Sequence, residues 1–530
     1  MIGRVLGMTI GLVIQLLLVR VLSKEDFGGF AWALSIVTLV TAIIPLGLDR
    51  IDSRFMALAD EEGDDRRLVG VLVTEALVIT TLGSIVFLAV LAWHTRLAPG
   101  IAPSETAANL LVLLVLLAPL GALDAMVIKT FATFADARAV FFRRYLLEPG
   151  LRLIVILAVY AAGAGVYGLT VGYVLASFVG LAIYIGMVVR LLSKLGVLGE
   201  LHGKVTLPVR AMVVEGVPMM ASTLVYVVVT ALPTLVLGAT ASAVEVASLR
   251  AVQPIASVSL AASGAFWVLY PPLVARQWRR GDRLGIRLGY WRTALWIAIV
   301  SYPGLLLGVA FAEPTTVTLL GHQYATSAPL LAVTALGFWF QSSTGFAPIL
   351  LATAGRLRFL FWANIASLAI GIASSFWLIP RYQAWGAALA MTITLVLGNI
   401  VRQLGLRGLP PGMADRRVAR PFLVMVAGLI LATLLQQVAH LGFVLAVLVS
   451  AAITLAALAV TLPYLDVANT FPELLKLPVA GPAITAVLHR GRHSTTNPYL
   501  VAAADAPTAD SGTTDPHSDP TPPAERGIAP

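Results

Sequence analysis

The chain has 530 residues, 58% of them hydrophobic and 12% charged, with a mean hydropathy of +0.90 and a net charge of +9. Soluble domains carry about 25% charged residues, and here apolar runs fill the chain from Met1 to about Leu465, which excludes a soluble protein with a single anchor. The basic excess would point to nucleic acid in a soluble chain. In this one it reads as Lys and Arg gathered on one side of a membrane, so no nucleic-acid partner is expected; the absence of Cys excludes disulfides and thiolate metal sites.

A membrane-spanning helix needs about 20 mostly apolar residues. Fourteen runs meet that description, near 3–22, 27–48, 68–93, 107–129, 145–163, 166–190, 211–238, 246–271, 289–312, 326–353, 359–379, 384–405, 420–439 and 441–463. The first follows Met-Ile-Gly-Arg with no small-x-small cleavage site before Lys24, so it reads as a retained helix. Loops after even-numbered runs hold 4, 4, 4, 5, 2 and 5 Lys and Arg, 24 in all, against 4 after odd-numbered runs. That asymmetry predicts that both termini are cytoplasmic. It also isolates the stretch Arg20-Val-Leu-Ser-Lys24-Glu25-Asp26, which puts four charges on the side where positive charge is otherwise scarce.

The outer loops are mostly shorter than a dozen residues, which leaves little room for the catalytic site of a membrane glycosyltransferase, ligase or polymerase. No Gly-x-x-x-x-Gly-Lys-Ser/Thr loop occurs, so the chain is not expected to hydrolyse ATP. No cofactor and no metal site are expected. From about residue 492 the chain is rich in Pro, Asp, Ser and Thr and is predicted to be disordered.

Transporters are often built from related halves. Glu25-Asp26-Phe27-Gly28-Gly29-Phe30 before the second run matches Val244-Glu245-Val246-Ala247-Ser248-Leu249 before the eighth. Each is followed, one run later, by a Gly-Asp pair: Gly63-Asp64 and Gly281-Asp282.

The stretch LLLVRVLSKEDFGGFAWALSIVTLVTAIIPLGLDR resembles the opening of bacterial polysaccharide transporters. That family includes the Wzx-type oligosaccharide flippases of the multidrug/oligosaccharidyl-lipid/polysaccharide (MOP) superfamily. VASLRAVQPIASVSLAASGAFWVLYPPLVARQWRRGD is similar to a family span that ends in Pro before a basic Gly-Asp loop. LLGHQYATSAPLLAV, LLATAGRLRF and LIPRYQAWGAALAMT follow in the family's order. One departure is Gln383, which stands after Tyr382 where the family usually has Gly.

The resemblance covers about residues 10–405. It implies an all-α polytopic membrane protein of about fourteen transmembrane helices: two six-helix, MATE-like lobes at 1–192 and 193–408, two further helices at 409–465, and a cytoplasmic tail at 466–530. It implies a flippase in the bacterial plasma (inner) membrane. The cargo would be a lipid-linked sugar on an undecaprenyl-type phosphate or diphosphate, with membrane lipids and polysaccharide-synthesis enzymes as further partners. A multidrug cation exporter of the same superfamily, a polysaccharide polymerase or ligase, and a scaffold of a polysaccharide-synthesis complex are the alternatives.

Ionisable residues inside apolar runs are costly and are the first functional candidates. Arg suits phosphate because its planar fork binds it bidentately. Arg250, four positions before Pro254, is the leading candidate; in related lipid-linked peptidoglycan-precursor flippases an Arg so placed lines the central cavity. Arg20 is its counterpart in the first half, against the alternative of an Arg reaching for the interface. Arg50, Arg54 and Arg152 are candidates for phosphate on the cytoplasmic side, against the alternative of ordinary loop cations. Glu75 and Asp124 are candidates for ion coupling, against the alternative of hydrogen-bonded packing acids.

Overall fold

In hydrocarbon every backbone N–H and C=O must be satisfied within the protein, and a helix does this along a single segment. In the computed structural model, which describes residues 2–97, 101–134, 141–197, 205–409 and 416–465, the described residues form helices and short connections with no strand. The tail expected to be disordered lies outside the described residues. Residues 1–460 form one compact unit; of 461–530, the described part is the end of the last helix.

Helices α1 (Ile2–Val21) and α2 (Lys24–Ile43) flank the charged stretch of the first loop. Ser23 starts α2: its hydroxyl accepts the Asp26 N–H at 3.1 Å, and Glu25 and Asp26 lie in the first turn, where negative charge meets the positive end of the helix dipole. After α2 the chain turns at Gly47, whose φ of 77° is left-handed, into a short 3₁₀ turn, Leu48–Arg50. Then comes α3 (Asp52–Glu61), an amphipathic helix where the sequence reading has a loop.

Next are α4 (Asp65–Leu97), α5 (Glu105–Leu114) and α6 (Leu117–Thr133). The fourth apolar run is thus broken at Val115–Leu116, just ahead of Pro119. A π-helical turn, Arg143–Leu147, leads into α7 (Glu148–Ala162), and Gly163 at φ 62° joins it to α8 (Gly165–Lys194).

The second half opens with α9 (Val209–Thr240). The eighth apolar run is split into α10 (Ala243–Ala256) and α11 (Ser259–Arg279). The chain continues through α12 (Arg283–Val309), α13 (Ala312–Leu320), a 3₁₀ stretch at His322–Ser327, α14 (Ala328–Thr344) and α15 (Ala347–Thr353). It closes with α16 (Leu357–Leu404), α17 (Arg416–Ala439) and α18 (Phe443–Leu465). Among the described residues, eight helices are long and apolar enough to cross a membrane by length and composition.

One of those eight is α16, whose 48 residues contain two of the expected spans. The apolar run near 359–379 stops just before Pro380, but the helix runs on past it. It bends three residues later at Gln383, the residue with φ 50° and ψ −127°.

The small residues of the motifs sit where backbones meet. A side chain at Gly28 would overlap the Ala243 carbonyl of α10, and one at Gly29 would press on Ala107 of α5 at 3.2 Å. A side chain at Gly386 would overlap the Leu378 carbonyl, so Gly386 lets the two arms of α16 close on each other. Around these approaches lies one apolar core, with Phe27, Phe30 and Trp32 of α2 packed with Val246 and Leu249 of α10, Leu331 of α14 and Ala387 of α16.

Candidate functional site

The break between α10 and α11 opens a cavity of about 620 Å³. Arg250, Gln253, Pro254 and Ser257 line it from α10 and the break. Ser263 and Gly264 come from α11, Phe338 and Gln341 from α14, Met391, Thr394 and Leu395 from α16, Val229 and Thr230 from α9, and Gln15 from α1. The walls therefore come mainly from the second half, with one polar side chain from the first. Pro254, in the last turn of α10, cannot donate a backbone hydrogen bond, which weakens the helix next to the break.

Arg250 carries the positive charge of this wall. One guanidinium nitrogen donates to Gln253 Oε1 at 2.7 Å, and its Nε is buried with no hydrogen-bond partner. Gln253 in turn donates to the Met391 sulfur at 3.4 Å. Among the described residues no carboxylate pairs with Arg250. A guanidinium held out of water without a counter-ion attracts an anion that presents two oxygens in a plane.

The arginines of the first half are differently engaged. Arg143 lies 2.5 Å from Asp124, and its side chain is 4% exposed. Arg152 lies 2.6 Å from Glu148 and over the ring of Tyr173. These two pairs line a separate pocket of about 70 Å³. Lys129 is shared between Asp49 at 3.5 Å and Asp52 at 3.8 Å. Burial pushes the Asp52 carboxyl above its ordinary range, and the Lys129 charge pulls it back part of the way. Glu75 is fully buried in α4, and neither carboxylate oxygen has a hydrogen-bond partner.

The remaining candidates lie at the two ends of the bundle and join the halves. At the end marked by the first loop, Arg20 of α1 donates to the Leu319 carbonyl at 3.1 Å and to that of Thr318. These are carbonyls of the last turn of α13, which have no partner within their helix, so the guanidinium caps it. Lys24 donates to the Gln323 carbonyl at 3.5 Å and lies over the Tyr324 ring, while Gln323 returns a bond to the Val19 carbonyl. The two positive charges of that loop are thus spent on contacts between the halves. At the opposite, arginine-rich end, Arg50 donates to the Thr223 hydroxyl at 3.1 Å and Arg54 pairs with Glu215 at 3.1 Å, both on α9. Gly47 abuts the Gly216 carbonyl beside them.

The structure therefore puts Arg250 on the cavity wall and Arg20, Arg50, Arg54, Arg152, Glu75 and Asp124 elsewhere. Sequence reasoning missed Gln15, Gln253 and Gln341. The available signal was an amide inside an apolar run, and for Gln253 its spacing of three from Arg250, which puts both on one helical face.

A helical bundle with eight helices apolar enough to cross a membrane and a polar cavity beside a broken helix defines a polytopic membrane protein. The chain belongs to the polysaccharide biosynthesis protein family, whose model matches residues 1–275. No curated protein matches it in sequence. Among solved structures it is similar to the lipid II flippase MurJ in an inward closed conformation, with a TM-score of 0.68 at 15% identity over 87% of this chain and 97% of that one. It is similar to an inward-facing multidrug resistance MATE family transporter of the MOP superfamily, with a TM-score of 0.56 at 14% identity over 78% and 95% of the two chains. The MATE multidrug transporter DinF-BH gives 0.54 at 15% identity over 79% and 94%. The chain shares the fold of these MOP-superfamily structures.

Proposed function

We propose that the chain is a flippase that moves lipid-linked oligosaccharide or polysaccharide repeat units across the bacterial plasma membrane by alternating access. The observation that carries this reading is Arg250, a guanidinium without a carboxylate partner on the wall of a cavity of about 620 Å³. A phosphate or diphosphate linking sugar to a polyprenyl tail is an anion of the right geometry. Amide and hydroxyl side chains around it, among them Gln15, Gln253, Gln341, Ser263 and Thr394, offer the mixed donors and acceptors that sugar hydroxyls need. The family's link to polysaccharide biosynthesis and the likeness to a lipid II flippase support the same cargo class. A multidrug cation exporter is disfavoured because this cavity wall carries a cation.

The two sets of contacts between the halves fit alternating access. Both termini are cytoplasmic in this reading, so Arg20 and Lys24 clasp the outer end and Arg50 and Arg54 the inner end. The halves, taken as lobes at 1–192 and 193–408, rock by releasing one set while keeping the other. The inner ion pair, with side chains 66% and 43% exposed, is of the kind worth roughly 0–1 kcal/mol, so it can break in a transport cycle. Ion coupling, if the cycle uses it, is assigned to Glu75, because Arg143 takes the Asp124 charge. The test is transport in vesicles reconstituted with the purified chain. A fluorescent lipid-linked oligosaccharide should change leaflet at a rate above that of protein-free vesicles, and a lipophilic cationic dye should not be transported. Dye transport without sugar-lipid transport would overturn the assignment.

A further inference from the structure

Arg402 shares two properties with Arg250. Among the described residues it pairs with no carboxylate, and its Nε has no hydrogen-bond partner. Its other nitrogens reach the Ser367 hydroxyl and Asn399 Oδ1, both at 3.4 Å, the long end of the hydrogen-bond range. Arg356, which precedes the first turn of α16, is satisfied by the carbonyls of Gly405 at 2.8 Å and Arg407 at 3.0 Å, just past its last turn. A counter-ion-free, partly buried guanidinium is an expensive feature to hold at the end of a membrane helix unless an anion visits it.

The helix carrying Arg402 is one of those that line the cavity. Met391 and Leu395 are cavity residues, and Arg402 lies eleven and seven positions beyond them. At 100° per residue those spacings return to the same helical face within about 20°, with Arg402 about 10 Å further along the axis than Leu395. Gly398 lies between them. A side chain there would meet the Ser367 hydroxyl at 2.7 Å and come within 3.5 Å of the Arg402 guanidinium, so glycine leaves the space the guanidinium uses. A polar relay links the two places. Gln341, on the cavity wall, accepts from Asn399 Nδ2 at 2.7 Å, and Asn399 accepts from Arg402. Asn399 is fully buried, so this relay is part of the packed structure.

We propose that Arg402 is a second binding station for the phosphate or diphosphate of a lipid-borne head group, at the arginine-rich end of the stripe that leads to Arg250. This inference rests on the flippase reading and adds a second station. The head group meets Arg402 first, one face of α16 guides it, and Arg250 receives it in the cavity. Two guanidiniums in series hold the anion at each stage without requiring either to bind it so tightly that it cannot leave.

The test uses the full chain in nanodiscs, titrated with inorganic diphosphate by calorimetry. The variants are Arg402→Gln, which keeps side-chain hydrogen bonding and removes charge, Arg402→Lys, which keeps charge and removes the fork, and Arg250→Gln. The expected result is that Arg402→Gln weakens diphosphate binding about tenfold and flattens its salt dependence, with Arg402→Lys in between. A polyprenyl diphosphate placed in the nanodisc should displace the inorganic ion from the wild type. Should Arg402→Gln not survive purification, Arg402→Lys carries the test, and full wild-type affinity in it overturns the bidentate station. Wild-type affinity in Arg402→Gln with loss in Arg250→Gln overturns this inference and leaves the flippase reading standing. No diphosphate binding by the wild type removes both. Inorganic diphosphate binding that polyprenyl diphosphate does not displace shows an ion from solution only, and overturns the lipid head-group assignment.

Discussion

Arg250 and Arg143 show what decides the role of a charge at membrane depth. Both are guanidiniums in largely apolar surroundings, but Arg143 has Asp124 at 2.5 Å and Arg250 has no acid. The paired residue is structural. Removing one partner of a buried ion pair leaves the other charge uncompensated, at a cost of about 3–5 kcal/mol. Asp124→Ala should therefore reduce the yield of folded, monodisperse protein in detergent extracts, measured by fluorescence-detected gel filtration. Normal yield together with lost transport would return Asp124 to the ion-coupling role.

Glu75 is the opposite case, because its carboxyl is buried with no hydrogen-bond donor at either oxygen. Glu75→Gln preserves shape and removes the exchangeable proton. It should keep sugar-lipid binding and abolish any response of transport to an imposed pH gradient across reconstituted vesicles. A retained response would end the coupling assignment. At this scale the sequence announces Arg250, since a lone Arg stands out in an apolar run. It does not announce Arg20 as a clasp, because the carbonyls that Arg20 caps lie 298 and 299 positions away. Nor does it gather Gln15, Gln253 and Gln341, which come from three helices.

At the scale of elements, the apolar periods of the sequence find most of the helices but not their breaks. The eighth run is continuous in composition, yet it divides at Ser257–Val258, and that division makes the cavity. The signal was Pro254 followed by Ser257 and Ser259, but Pro occurs in several other spans, so Pro alone does not mark a break. The helix α13 and its 3₁₀ extension are short and were absorbed into a loop, although they receive the outer clasp.

The bend of α16 was legible as a departure at Gln383, where the family usually has Gly. The backbone there is left-handed, a conformation a non-Gly residue adopts at a cost of about 1–3 kcal/mol. Gln383→Gly should relieve that strain and, after the added freedom of the unfolded chain is deducted, raise stability by about 1 kcal/mol. The check is the thermal midpoint of the purified protein; an unchanged or lower midpoint would mean that the bend is not strained. Orientation also belongs here. Glu25 is exposed and the native chain has no Cys, so Glu25→Cys should react with a membrane-impermeant maleimide in intact cells. Labelling only after lysis would invert the predicted topology.

For the whole molecule, the unequal distribution of charge partners is the main result. In the first half Arg20, Arg50, Arg54, Arg143 and Arg152 are engaged by acids or by contacts with the second half, while the second half keeps Arg250 without a counter-ion on an open cavity. In the proposed alternating access the moving contacts lie at the two ends and the proposed cargo site between them. The most direct measurement is the flipping rate of a lipid-linked oligosaccharide in reconstituted vesicles, compared at equal protein density for wild type, Arg250→Lys and Arg250→Ala. A bidentate phosphate site predicts a clear loss for Lys and a larger one, about a hundredfold, for Ala, in line with the roughly 1.5–3 kcal/mol of a charged hydrogen-bonded contact. Both variants should remain folded. Wild-type flipping by Arg250→Ala would contradict the account.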